Sequence, residues 1–117
     1  MLEPITNSKY KKDTKRLKKQ GKDKKKLVEV LEKLVEGIPL EKKYREHYLS
    51  SSSNYSGCLE CHIEPDWLLI YRIDTKEQKL YLVRTGSHAE VFNEDISSDA
   101  SIPEITNKLK KILNEED

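Results

Sequence analysis

The chain contains three histidines, His47, His62 and His88, and all of them fall at the edges of the predicted sheet rather than inside helices. Asp66 follows His62 across the turn-forming run Glu64–Pro65–Asp66, and Arg84 precedes His88 by a similar interval. These are the group types that cutting an RNA strand without a metal requires. One group takes the proton of the 2′-hydroxyl, another returns a proton to the departing 5′-oxygen, and a cation holds the extra charge at phosphorus. An imidazole titrating near pH 6.5 serves in either direction at neutral pH. Separation along the chain does not set distance in space, so the elements must bring these groups together.

A second pattern competes for His62. Cys58–Leu59–Glu60–Cys61–His62 spells C-x-x-C-H, the attachment pattern of a c-type haem. In a strand, residues three apart face opposite sides of the sheet, so two such sulfurs do not converge on one porphyrin. The same geometry works against a local disulfide, and two cysteines with three scattered histidines make an incomplete zinc set. Structural free thiols are expected, with no metal and no cofactor.

The positioning elements are legible in outline. Leu2–Thr6 is a short extended segment that Pro4 confines to an edge or a strand start. Ser8 is a candidate cap for a helix from Lys9 to Gln20, with Tyr10, Thr14 and Leu17 on one face among seven Lys or Arg, closed by Gly21. Asp23 caps a second helix to Glu36, where Leu27, Val30, Leu31, Leu34 and Val35 keep the 3/4 spacing of one buried face and Gly37 ends it. Residues 38–54, with four consecutive serines from Ser50, have no core periodicity and read as a loop.

Strands follow. Tyr55–Ile63 alternates moderately, Trp67–Tyr71 is a continuous apolar run covered on both faces, and Lys79–Arg84 returns after the polar turn Asp74–Gln78. The order β-α-α-β-β-β predicts an α+β fold, two helices packed on a mostly antiparallel sheet. Trp67, Leu69 and Tyr71 are assigned to its core. Residues 1–92 form the expected domain; 93–117 are expected to be a linker and a last helix from Ile102 to Asn114, with Ile105, Leu109 and Ile112 on one side, packed on the same domain.

Of 117 residues 37% are charged and 7% aromatic, yet the apolar ones cluster into runs, which favours one folded core over disorder. The net charge of +1 conceals an asymmetry: residues 1–45 hold 15 Lys and Arg against 7 Asp and Glu, and residues 46–117 hold 7 against 14. Such a basic first half attracts phosphate backbones without reading sequence. No run approaches the roughly 20 apolar residues of a membrane span, and the N-terminus lacks a signal-peptide pattern, so a cytoplasmic protein is expected.

Two blocks, Glu60–Cys61–His62–Ile63–Glu64–Pro65–Asp66–Trp67–Leu68–Leu69–Ile70–Tyr71 and Arg84–Thr85–Gly86–Ser87–His88–Ala89–Glu90–Val91–Phe92, resemble the hallmark blocks of YafQ-type toxins of the RelE superfamily. Tyr44–Arg45–Glu46–His47–Tyr48–Leu49 is similar to that family's [KR]-[DE]-H-x-L segment, and the likeness covers about residues 5–92 in one order. It implies a RelE-like fold and a toxin that cuts mRNA in the ribosomal A site by 2′-hydroxyl attack, without a metal. Asp66 and His88 would be the acid–base pair, with His62 and His47 aiding proton transfer or binding phosphate. Arg84 would neutralise the phosphorane, Glu60 would orient a neighbouring histidine or arginine, and Phe92 would stack on a base of the codon. Lys11, Lys15, Lys18 and Lys19 would grip ribosomal RNA. An antitoxin is the implied partner, binding a monomer or forming a hetero-oligomer. Two positions depart from the pattern: Leu59 stands where the family usually has a basic residue, and Ser50 where Gly often follows. A non-catalytic RelE/ParE-like binder of a ribosomal or protein target is the alternative reading.

Overall fold

The computed structural model describes residues 1–50 and 54–93. They divide between two compact units, Met1–Ser87 and a second that begins at His88. The first holds a five-stranded sheet in the order β1-β5-β4-β3-β2. Its strands are β1 (Glu3–Thr6), β2 (His47–Tyr48), β3 (Leu59–Glu64), β4 (Trp67–Asp74) and β5 (Lys79–Gly86), and its helices are α1 (Ser8–Lys19) and α2 (Lys24–Glu36). β1 lies parallel to β5 and the other pairs are antiparallel, so the sheet is mostly antiparallel as expected. Pro4, with no N–H for a ladder, sits on the edge strand β1.

Helix boundaries follow the capping residues. Asn7, extended after β1, accepts the Tyr10 amide at 2.7 Å, so it caps α1 in place of the expected Ser8, which opens the helix. Asp23 caps α2, and Gly37 closes it at φ +74°, a left-handed conformation that glycine adopts without a side-chain clash. Leu27, Val30 and Leu34 are buried as the spacing predicts, each contributing about 1.5–3 kcal/mol of transfer free energy when fully covered. They pack with Tyr10, Leu17, Cys61, Trp67, Leu69 and Tyr71 into the core between the helices and the sheet.

Three local expectations are corrected. The loop over 38–54 contains a 3₁₀ turn at Lys42–Tyr44 and the short strand β2, whose two residues pair with Glu60 and Leu59. Tertiary pairing, not local periodicity, makes that strand. The strand expected from Tyr55 begins only at Leu59, which leaves Cys58 outside it; both cysteines are buried free thiols. On α1 the buried positions are Tyr10, Asp13 and Leu17, with Thr14 half-buried and bonded to Lys11 O at 2.8 Å. The helix expected over 102–114, and the extension after Asn93, lie outside the described residues.

Candidate functional site

Cross-strand register assembles the site. His47 on β2 pairs with Glu60 on β3, Glu60 with Ile70 on β4, and Ile70 with Arg84 on β5, so one row across four strands holds three of the expected residues. At a strand spacing of about 4.8 Å, the backbones of Glu60 and Arg84 stand about 10 Å apart. The next row on the same face of the sheet is His62, Leu68 and Gly86. Each of the two hairpins is irregular beside one of these rows: β3 carries an extra residue between His62 and Glu64, and β5 one between Leu82 and Arg84. Such bulges re-aim side chains at the end of a sheet.

His47, Glu60 and His62 form one cluster. Glu60, 4% exposed, places Oε1 3.2 Å from His47 Nε2, while His47 Nδ1 lies 2.9 Å from the Arg45 carbonyl. Both ring nitrogens thus face oxygens of neighbouring groups, which hold the ring's orientation. The His62 ring stacks on His47 with centroids 6.3 Å apart at 29°. The segment carrying His47 is pinned further back: Arg45 takes the left-handed φ of 50°, and Glu46 accepts the hydroxyl proton of the buried Tyr71. Burial and that bond to Glu46 push the Tyr71 hydroxyl far above its ordinary range, so it stays a donor.

Asp66 is exposed in the β3–β4 turn, one residue before the fully buried Trp67. Arg84 is 2% exposed and lies side-on to Asp13 of α1, with Nε 2.7 Å from Oδ2 and Nη2 3.0 Å from Oδ1. His88 and Phe92 belong to the second unit, where a single π-helical turn, Ala89–Asn93, sets their rings 6.4 Å apart at 32°. Lys11, Lys15, Lys18 and Lys19 are all exposed along α1.

The reading of the sequence missed Asp13, although a signal was present. A carboxylate three residues after Tyr10 and four before Leu17 occupies the apolar stripe of a helix, where a charge needs a buried partner. Among the described residues no group of three or more His, Cys, Asp or Glu could hold a metal ion. Nor is any described helix long and apolar enough to cross a membrane.

Fold and site together define a small α+β domain that presents an imidazole–carboxylate–imidazole cluster at the end of its sheet. A family described as bacterial toxin of type II toxin-antitoxin system, YafQ, matches residues 2–93. The mRNA interferase toxin YafQ of Escherichia coli K12 is 39% identical over 84 residues, 71% of this chain and 87% of that protein. Among solved structures, a metal-bound toxin from Helicobacter pylori has a TM-score of 0.71 and 43% identity over 79% of this chain and 100% of its own. The E. coli DinJ-YafQ complex gives a TM-score of 0.70 and 34% identity, covering 79% of this chain and 99% of that one. The chain belongs to the YafQ family of toxins of type II toxin–antitoxin systems.

Proposed function

We propose that the chain is a ribosome-dependent endoribonuclease that cuts mRNA in the A site by acid–base chemistry supplied by its own side chains. The observation that carries this reading is the His47–Glu60–His62 cluster, two stacked imidazoles with a buried carboxylate on one of them. The 2′-oxygen loses its proton and bonds to phosphorus; the bond from phosphorus to the 5′-oxygen breaks, and that oxygen takes a proton. The products are a 2′,3′-cyclic phosphate and a 5′-hydroxyl. Asp66 and His88 act as the acid–base pair, and His62 and His47 assist proton transfer or hold the phosphate. Glu60 orients His47, and Arg84 offsets the charge that develops at phosphorus. Phe92 stacks on a base of the codon.

Lys11, Lys15, Lys18 and Lys19 bind the phosphate backbone of ribosomal RNA, and action on the ribosome sets the place of action in the cytoplasm. The natural partner is an antitoxin, as DinJ is for the E. coli protein. A groove of about 470 Å³ between α1 and α2, with Leu17, Leu27 and Leu31 on its walls and Lys15, Lys18 and Lys22 among its lining residues, suits an amphipathic acidic segment of such a partner.

Primer extension on a defined message in a purified translation system tests this. Cuts are expected within A-site codons, only with ribosomes present, and absent for His88→Ala and Asp66→Ala. An intact message with ribosome-bound native protein overturns the nuclease reading and leaves a binder.

A further inference from the structure

Successive residues of β4 point to opposite faces of the sheet. Trp67, Leu69 and Tyr71 enter the core beneath the helices and Ile73 packs against it, so Leu68, Ile70 and Arg72 face the other way. That is the face of the histidine rows, because His62 pairs with Leu68 and Glu60 with Ile70. Two residues further along β4, roughly 7 Å on, the next row pairs Arg72 with Tyr81 of β5. Counted from the turn that carries Asp66, this face presents His62, then Glu60 with His47 on it, then Arg72 beside Tyr81.

Arg72 is exposed, although the five residues of β4 before it are all buried. Its Cζ stands over the half-buried Tyr81 ring, 4.4 Å from the centroid. Among the described residues no carboxylate pairs with it. Asp74, on the next row of the same face, turns its Oδ1 to the amides of Lys76 and Glu77 at 3.0 Å each. A guanidinium carries its five N–H donors around its rim, and a ring beneath its face uses none of them. The ring also restricts a long side chain that otherwise samples many rotamers, so the charge is offered at a fixed place. A pair that only had to hold β4 on β5 needs no charge, since aromatic and β-branched partners do this as well. A fixed cation with free donors, one row from two imidazoles, suits an anion. A single-stranded message lying along this face carries a phosphate at every nucleotide, so a neighbour of the scissile phosphate comes to the Arg72 row.

We propose that Arg72, held over Tyr81, is an RNA-binding subsite that takes the backbone phosphate of a nucleotide next to the scissile one. The inference rests on the nuclease reading above and deepens it by giving the message a path along β4. Arg72 touches the substrate but not the reacting atoms; Tyr81 is a positioning residue that acts through Arg72.

The test compares native protein, Arg72→Gln and Tyr81→Leu in cleavage of a defined message on purified ribosomes, with thermal melting recorded for each. Arg72→Gln is expected to raise KM by about 10-fold, the size of losing one charge-assisted hydrogen bond, with kcat within about threefold. Tyr81→Leu keeps the cation but frees it, and should raise KM by about threefold or more, again with kcat little changed. Messages carrying a neutral methylphosphonate at one phosphate, placed in turn on either side of the scissile bond, locate the contact. At one of these positions the native protein should lose about 10-fold in KM, and Arg72→Gln should lose less than about threefold further, because one interaction cannot be removed twice. If Arg72→Gln fails to fold, Arg72→Lys keeps a cation without the planar fork and should show the same position-specific pattern with a smaller rise in KM. A native KM in a folded Arg72→Gln, or a loss confined to kcat, overturns the subsite. A raised KM that multiplies with the methylphosphonate penalty at every position assigns Arg72 to ribosomal RNA and overturns the message contact. Failure of the native protein to cut any ribosome-bound message overturns the nuclease reading itself, and this inference with it.

Discussion

Glu60 Oε1 lies 3.2 Å from His47 Nε2, joining a nearly buried carboxylate on β3 to a half-exposed imidazole on β2. With Arg45 O on the other ring nitrogen, this contact fixes the orientation of the ring. Glu60→Gln removes the negative charge but keeps the shape. It is expected to slow single-turnover mRNA cleavage by about 10- to 100-fold, within the range of one well-placed acid or base. In a His47→Ala background the same change should add nothing. Full additivity of the two losses would show that Glu60 acts elsewhere.

Asp13→Ala leaves the buried Arg84 guanidinium without the carboxylate that faces it at 2.7 Å. The expected cost is about 3–5 kcal/mol in urea unfolding. Asp13→Ala combined with Arg84→Met should be more stable than Asp13→Ala alone, since no guanidinium then has to be buried beside the missing carboxylate. A single variant as stable as native protein would contradict the burial of this pair.

The alkaline limb of stability has a defined window. Burial, with Glu46 and Glu60 adding, pushes the Cys61 thiol from 9.0 to about 12, and burial, with Asp13 adding, pushes Tyr10 from 10.0 to about 12. Both groups hold their protons more tightly when folded, so their contribution is complete below the unfolded values and is lost as pH rises through 9 toward 12. The melting temperature should therefore fall across that interval, and Cys61→Ala should flatten part of the slope. The native thiol should also resist alkylation at pH 8 until the chain unfolds. A flat profile from pH 9 to 11 would refute this.

Exposed Lys11, Lys15, Lys18 and Lys19 should act through counterion release. Replacing all four by Ala is expected to weaken ribosome binding and to lower the slope of log K against log salt by about 3. An unchanged slope would move the RNA contact off α1.

Gly37 closes α2 at φ +74°, and nothing stands within 4 Å of where a Cβ would be. Gly37→Ala thus carries only the conformational penalty, about 1 kcal/mol by thermal denaturation. A neutral result would mean the helix end relaxes.

Local chemistry determined much of this protein from its sequence. The 3/4 spacing of Leu27, Val30 and Leu34, the caps at Asp23 and Gly37, and the apolar run Trp67–Tyr71 each encode one element, because periodicity and capping involve residues only a few positions apart. His47 and His62 were identifiable by residue type and by their place at the edges of the predicted sheet, and Glu60 by the resemblance to the YafQ blocks. Their contact was not, because it arises from the register of β2 on β3, and β2 is too short to show an alternation of its own. Asp13 is the clearest case of what tertiary structure decided. Its place on the apolar stripe of α1 signals a buried charge, but only the register of β5 and the arrival of Arg84, 71 residues later, decide its partner. Long-range pairing sets such partners, and no local pattern encodes the sequence distance at which a charge will find its counter-charge.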